Sequence, residues 1–138
     1  MLILAYQNKS VMLDFHIEGT EKTPTIRFDN TKSALFIQGK SLGENPYQFY
    51  MPLFHWMEIF EENPLAKLDV IVNLEYFNTS SSKVLLDIYK RLEEIHLKKK
   101  SEITIKWYYD EQDDDMRDIG KEYNKMLKLP FKLYGITQ

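Results

Sequence analysis

The chain has 138 residues, a formal net charge of −3 and a hydrophobic fraction of 43%. This length and apolar content suit one folded domain and exclude a disordered chain. The absence of cysteine excludes disulfides, a thiol nucleophile and thiolate metal sites. The negative charge argues against nucleic-acid binding, and no apolar run approaches the roughly 20 residues that span a bilayer. We therefore expect a soluble cytoplasmic domain with no nucleic-acid partner and no membrane insertion.

Strong patterning begins near Met12, which divides the chain into an N-terminal extension over residues 1–11 and one α/β domain over residues 12–138. The extension is interpreted either as an additional strand or as the product of an upstream start codon, with Met12 as the true first residue. In the domain, residues 25–29 alternate with period two and residues 34–39 form a second apolar run. The short turn between them predicts an antiparallel hairpin.

A helix is predicted after the hairpin, because Asn45 is a good N-cap and Pro46 suits the first helical position. Pro52 should kink or split this helix, which ends before Pro64. Its apolar face comprises Phe49, Leu53, Trp56, Met57 and Phe60.

The remaining chain alternates between strands and helices. Strands are predicted over residues 68–77, 103–109 and 131–136, and helices over residues 83–98 and 114–127. The apolar face of the last helix comprises Met116, Ile119, Tyr123, Met126 and Leu127. The order ββαβαβαβ predicts a mixed sheet with an N-terminal antiparallel hairpin and about three packed helices.

Enzyme signatures are scarce in this sequence. It has no phosphate-loop glycine pattern, dinucleotide fingerprint or nucleophile elbow. His16, His55 and His96 lie in separate segments, without the i, i+4 spacing of a helical metal site. We expect no cofactor.

Two alternative functions rest on other segments. The acidic run over residues 110–115 could serve a small divalent-metal-binding domain or enzyme through Asp110, Asp113, Asp114 and Asp115. A solvated loop with helix-start charges explains the same run more simply. Alternatively, Tyr108, Tyr109, Phe131 and Tyr134 could form the exposed patch of a plain oligomerisation domain.

The most informative segment is the run of four hydroxyl residues that begins at Thr79, between a predicted central strand and a predicted helix. One hydroxyl is enough to cap a helix, so this run is either a serine-rich cap with spare hydroxyls or a phosphorylation site. A phosphate there adds about −1.5 to −2 charges beside the free N–H groups of a helix N-terminus.

Four stretches of the chain resemble the SiaC-like bacterial regulatory phosphoproteins, over about residues 17–133. They are residues 18–26, 39–45, 76–83 and 106–110, and the Asn-Thr-Ser-Ser turn in the third is the most specific. The resemblance implies a single domain similar to the anti-sigma-factor-antagonist (STAS-like) fold. It also implies a non-enzymatic protein that is phosphorylated on Thr79, with Ser80 and Ser81 as alternates.

The resemblance further implies three classes of partner. A serine/threonine kinase adds the phosphate, and a PPM-type metal-dependent phosphatase removes it. The unphosphorylated form binds and activates an effector, expected to be a diguanylate cyclase in cyclic di-GMP and biofilm regulation. Glu44 and Asn45 lie near the hydroxyl turn if their strands are neighbours. The candidate partner-binding residues are Asn78, Ser80, Ser81, Lys83, Glu44 and Asn45.

Overall fold

The computed structural model describes residues 14–137, so the interpretation of residues 1–11 lies outside the described part of the chain. The strands are β1 (Phe15–Ile17), β2 (Thr25–Asp29), β3 (Ala34–Ser41), β4 (Lys67–Phe77), β5 (Glu102–Asp110) and β6 (Phe131–Ile136). The helices are α1 (Pro46–Glu62), α2 (Thr79–Leu97) and α3 (Asp114–Met126). The predicted mixed α/β fold with three helices is confirmed.

All six strands form one sheet in the order of the chain, β1-β2-β3-β4-β5-β6. The first three strands pair antiparallel, and β3 through β6 pair parallel. Each helix connects two neighbouring parallel strands, and each connection leads to the next strand in the same direction across the sheet. Because such crossovers are right-handed, all three helices lie on the same face of the sheet. The sheet therefore has one helix-covered face and one open face.

The burial pattern reflects this one-sided arrangement. On β4, Leu68, Val70, Val72 and Leu74 are buried, whereas the alternate residues are half-buried or exposed. Residues of all three helices join the same core cluster as these strand residues. The open face instead carries pairs of a charged and an aromatic side chain, such as the Arg27 guanidinium 4.2 Å from the centre of the Phe36 ring. No helix within residues 14–137 is long and apolar enough to cross a membrane.

Four details differ from the sequence prediction. The three-residue strand β1 was not predicted, because it is too short to show a period-two pattern. The helix α1 is not split at Pro52, since Gln48 and Pro52 are both exposed and water can bond the carbonyl that the proline leaves free. The helix α2 begins at Thr79 rather than Lys83, and Met126, on the predicted apolar face of α3, is 46% exposed.

The position of α3 depends on a close approach to the sheet. Trp107 is 1% exposed, and its Nε1 donates a hydrogen bond to the carbonyl oxygen of Met116 at 3.1 Å. Gly120 faces the same indole, and a Cβ atom added there would lie 2.5 Å from Trp107 Cδ1. Because a buried indole in a packed core cannot move aside, the helix needs glycine at this position.

We expect Gly120→Ala to lower the free energy of unfolding by about 1–3 kcal/mol, the usual cost of overpacking a core. Urea denaturation measures this change. Gly43→Ala is the matched control, since a Cβ atom there has no heavy atom closer than 3.9 Å. Equal stabilities of the two variants would contradict the close-approach explanation.

Candidate functional site

The parallel pairing of β3 with β4 brings two loops together at the carboxyl edge of the sheet. The register runs from Ala34 opposite Asp69 to Ser41 opposite Phe77. The loop that follows β3 (residues 42–45) and the start of α2 therefore leave the sheet side by side. The backbone N–H of Asn78 donates to the Ser41 carbonyl at 3.1 Å and extends this pairing by one bond.

Asn78 is the N-cap of α2 and also connects it to the neighbouring loop. Its Oδ1 accepts a hydrogen bond from the backbone N–H of Ser81 at 2.9 Å. Its Nδ2 donates to the Gly43 carbonyl at 3.4 Å. The sequence placed Asn78 among partner-binding candidates, but its side chain is engaged inside the protein. Thr79 is consequently the first helical residue and not the cap.

A chain of buried hydroxyl groups lies directly beneath this cap. Ser41 Oγ donates to Ser81 Oγ at 2.8 Å and lies 2.8 Å from the hydroxyl oxygen of Tyr50. These three residues come from β3, α2 and α1, and each is no more than 2% exposed. Burial raises the pKa of Tyr50 to about 12, an effect that the hydrogen bond with Ser41 partly offsets. The hydroxyl chain joins three elements under the hydroxyl turn.

The four hydroxyl residues have different surroundings. Ser81 is buried, so its hydroxyl is inaccessible to a kinase in the folded protein. Ser80 Oγ donates to Asn78 Oδ1 at 3.2 Å, and Ser82 Oγ donates to the Thr79 carbonyl at 2.6 Å. Among the hydrogen bonds of residues 14–137, none involves the exposed hydroxyl of Thr79. Thr79 therefore carries the one hydroxyl of the turn that is exposed and makes no hydrogen bond within the described residues.

The other predicted residues lie on the surface around Thr79. Lys83 is exposed one helical turn after Thr79, on the same side of α2, and makes no ion pair within the described residues. Glu44 is exposed in the adjoining loop. Asn45 caps α1, where its Oδ1 accepts from the backbone N–H of Gln48 at 3.5 Å. Asn45 therefore has a structural role, whereas Lys83 and Glu44 remain free for a partner.

Sequence reasoning assigned no site role to the loop over residues 18–24, which packs on the loop over residues 42–45. The backbone N–H of Leu42 donates to the Lys22 carbonyl at 2.7 Å. Thr20 Oγ1 accepts from the backbone N–H of Lys22 and of Thr23, which holds the loop in a tight turn. The only sequence signal for this loop was the stretch over residues 18–26 that resembles the family. Three of the four such stretches thus meet at one corner of the molecule.

The acidic run has local structural roles that explain most of its carboxylates. Asp113 caps α3 by accepting from the backbone N–H of Met116 at 3.0 Å, and Asp110 Oδ1 accepts from Gln112 N at 2.9 Å. Asp114 pairs with Arg117 at 3.3 Å. Within residues 14–137, no group of three His, Asp or Glu side chains is arranged to hold a metal ion. The geometry therefore does not support the metal-binding alternative.

The histidines and the four aromatic residues of the oligomerisation alternative do not form common sites either. His96 Nδ1 accepts from the backbone N–H of Ile103 at 3.1 Å, which is a structural role at the start of β5. Tyr108 stacks on Tyr134 at 4.9 Å on the open face of the sheet, whereas Phe131 is buried in the core on the opposite face. These aromatic residues therefore belong to two faces of the sheet, not to one patch.

A one-sided α/β sheet with an accessible hydroxyl turn at its carboxyl edge fits a small regulatory domain. The profile of the SiaC family regulatory phosphoproteins matches residues 17–136. The chain belongs to this family. This membership confirms the resemblance and the regulatory class that it implied.

Relatives from Pseudomonas aeruginosa agree with this assignment. An uncharacterized protein of strain UCBPP-PA14 is 33% identical over 122 residues, which cover 88% of this chain and 96% of that protein. The crystal structure of apo-SiaC superposes with a TM-score of 0.81 at 32% identity, covering 90% of this chain and all of SiaC. SiaC in the crystal structure of the diguanylate cyclase SiaD with its activator SiaC gives a TM-score of 0.82 at 32% identity, covering 89% of this chain and all of that SiaC chain.

Removing the cap should destabilise the protein more than removing the Thr79 hydroxyl. We expect Asn78→Ala to lower the free energy of unfolding by about 0.5–2 kcal/mol, because the Ser81 N–H loses its acceptor. Thr79→Ala should change it by less than about 0.5 kcal/mol, because that side chain is exposed and alanine favours helix. Urea denaturation of both variants gives the comparison, and a larger loss in Thr79→Ala than in Asn78→Ala would contradict the assignment of Asn78 as the cap.

The buried Tyr50 makes stability depend on pH in the alkaline range. Because its pKa is about 12 in the folded protein and about 10 in the unfolded chain, the folded state keeps a proton that the unfolded state loses. This contribution is fully present below pH 10, and the free energy of unfolding falls by about 1.4 kcal/mol per pH unit from there to pH 12.

The free energy of unfolding of wild type and of Tyr50→Phe, measured at about pH 9.5 and 11.5, isolates this group. Only wild type loses the Tyr50 contribution to stability between these two pH values. Burial also raises the pKa of Tyr89 and of Tyr123. Wild type and Tyr50→Phe each contain these two tyrosines, so their effects cancel from the difference in the free energy of unfolding between the two proteins. Tyr76→Phe, at an exposed position, controls for the loss of a phenol hydroxyl. A pH-independent difference between wild type and Tyr50→Phe would show that Tyr50 ionises equally in both states.

Proposed function

We propose that this chain is a non-enzymatic cytoplasmic regulator that is switched by reversible phosphorylation of Thr79. The unphosphorylated form binds an effector through the surface around Thr79, and the phosphorylated form does not. The effector is a diguanylate cyclase, which the bound regulator activates. A serine/threonine kinase adds the phosphate and a PPM-type phosphatase removes it.

The chain belongs to a family of regulatory phosphoproteins. The observation that carries this proposal is that Thr79 differs from the adjacent serines in exposure and hydrogen bonding. Ser81 is buried, and Ser80 and Ser82 are each hydrogen-bonded within the turn. Thr79 is exposed, and its hydroxyl has no partner within the described residues. A kinase therefore finds Thr79 accessible without breaking an internal bond.

The position of Thr79 also favours the phosphorylated state. The first turn of α2 contains no acidic residue, so a phosphate would be its first negative charge. The helix dipole stabilises an anion at this end, by about 0.3–1 kcal/mol at an exposed position. Lys83, four residues later, supplies a cation on the same helix face. Phosphorylation at Thr79 is therefore compatible with the fold.

The effect of the phosphate on the effector follows from its charge. The surface around Thr79 changes from neutral hydroxyl groups to about −1.5 to −2 charges and gains bulk. An effector that fits the neutral surface then meets an unpaired charge, and such a mismatch costs several kcal/mol at an interface. Support for the class of effector comes from SiaC, which is the activator of the diguanylate cyclase SiaD in their crystal structure.

Phosphosite mapping in the native host, in growing and in starved cells, tests the switch. We expect phosphate on Thr79 with an occupancy that changes between the two conditions. In a strain that carries Thr79→Ala at the native locus, cyclic di-GMP should stay high in both conditions, because the regulator cannot be switched off. Cyclic di-GMP is measured by mass spectrometry of cell extracts.

Ser80→Ala is the matched control, since Ser80 is also exposed and neighbours Thr79. That strain should keep the wild-type response to starvation. A wild-type response in the Thr79→Ala strain, together with its loss in the Ser80→Ala strain, would move the phosphorylation site to Ser80. Normal regulation in both strains would remove the proposed switch.

A further inference from the structure

A second concave surface lies at the same edge of the sheet, on the other side of β4 from the loop over residues 42–45. It is an open groove of about 700 Å³ between the end of β4 and the helix α3. Its lining consists of Tyr76, Phe77, Asp113, Asp115, Met116, Asp118, Ile119, Glu122, Tyr123 and Met126. We call this surface the α3 groove.

Six of the ten residues that line the α3 groove are apolar or aromatic. Tyr76 at the end of β4 is 59% exposed, and Met126 at the end of α3 is 46% exposed. Phe77 and Ile119, which also line the groove, are half-buried. The sequence pattern predicted Met126 on the apolar face of the last helix, and the structure places this residue in the lining of the groove. Large exposed apolar side chains that converge on one concavity are typical of a binding surface.

The charge of the α3 groove is strongly one-sided. Its lining contains four carboxylates, at Asp113, Asp115, Asp118 and Glu122, and no Lys, Arg or His. Arg117 pairs with Asp118 at 3.3 Å, but Asp115 and Glu122 form no ion pair within the described residues. This imbalance is local, since the whole chain has 18 basic and 21 acidic residues.

An adjoining cavity of about 480 Å³ continues the acidic surface along the sheet edge. It shares Asp113, Asp115 and Met116 with the α3 groove. It adds the carboxylates of Glu75, Asp110 and Asp114 and, like the groove, has no cationic side chain in its lining. The two concavities therefore form one acidic trough whose apolar half is the α3 groove.

We propose that the α3 groove is a docking site for a basic amphipathic helix of a partner protein. The apolar face of such a helix covers Tyr76, Ile119 and Met126, and its flanking Lys or Arg side chains reach the carboxylates on the rim. The 13 residues of α3 span about 20 Å, which matches a partner helix of three to four turns. An acidic helix or a neutral membrane surface lacks the charge that this rim requires.

This site is separate from the Thr79 surface, and the proposal does not rest on the proposed function. Thr79 is not part of the groove lining, although Phe77 lies two residues before it. A phosphate on Thr79 adds negative charge near an already acidic rim, which favours a cationic ligand. Phosphorylation therefore does not release the helix from the groove, in contrast to the effector.

Fluorescence anisotropy with a labelled 14-residue Leu/Lys peptide, designed as an amphipathic helix, tests the site on the full chain. We expect saturable binding to wild type and at least tenfold weaker binding to the double variant Asp115→Lys/Glu122→Lys. The control variant Glu58→Lys/Glu62→Lys changes the net charge equally at exposed positions on α1 and should bind within twofold of wild type. Met126→Ser should weaken binding at constant charge.

The composition-matched scrambled peptide, which cannot form an apolar face, should bind at least tenfold more weakly than the ordered peptide. Equal affinity for both peptides, or full binding by the Asp115→Lys/Glu122→Lys variant, would overturn the proposal. Sedimentation equilibrium adds a further test, since a wild-type dimer that this variant abolishes would make a second copy the occupant. Thr79→Ala and Thr79→Glu should bind the peptide within twofold of wild type. The peptide experiment therefore tests the α3 groove independently of the proposed Thr79 switch.

Discussion

The parallel pairing of β3 with β4 is the constraint on which the candidate site depends. Parallel neighbours end at the same edge of a sheet, so the loop after β3 and the start of α2 must emerge together. The Asn78 side chain then holds that loop through Gly43 and caps α2 with the same amide. Beneath it, the hydroxyl groups of Tyr50, Ser41 and Ser81 join three elements in a space without water access. Thr79 stays accessible, whereas the hydroxyl groups of Ser80, Ser81 and Ser82 are hydrogen-bonded inside the protein.

The one-sided helix layer also explains why two different surfaces lie at this edge. The helices α1 and α2 leave a surface around Thr79 that combines exposed hydroxyl groups with the side chains of Lys83 and Glu44. The helix α3 approaches the sheet closely at Gly120, and its acidic first turn faces the end of β4. Under the proposed function the first surface changes its charge by phosphorylation, whereas the second surface carries a constant set of carboxylates. One edge of the sheet can therefore combine a switched contact with a constant one.

Much of the fold was predictable from local patterns. The strands β2 and β6 have the predicted bounds, and Asn45 and Pro46 start α1 as predicted, because period-two alternation and helix-start residues are local signals. The start of α2 was predicted four residues too late, since consecutive serines resemble a turn when the cap is not known. The strand β1 was missed because three residues carry no measurable period, and its pairing with β2 is a tertiary contact. The exposure of Met126 on the apolar face of α3 was not predictable, because the helical period does not show where the sheet beneath a helix ends.

The sequence by itself determined the family, the mixed α/β class and the segment that contains Thr79, since these depend on residue identity and short-range spacing. Only the tertiary structure decided which hydroxyl is accessible, because the burial of Ser81 depends on Ser41 and Tyr50, which lie 40 and 31 positions earlier in the chain. It also decided that the loop over residues 18–24 belongs to the same corner as α2, through the contact of Lys22 with Leu42. Contacts between distant parts of a chain arise from strand pairing and core packing, and a single sequence records no distances between such parts.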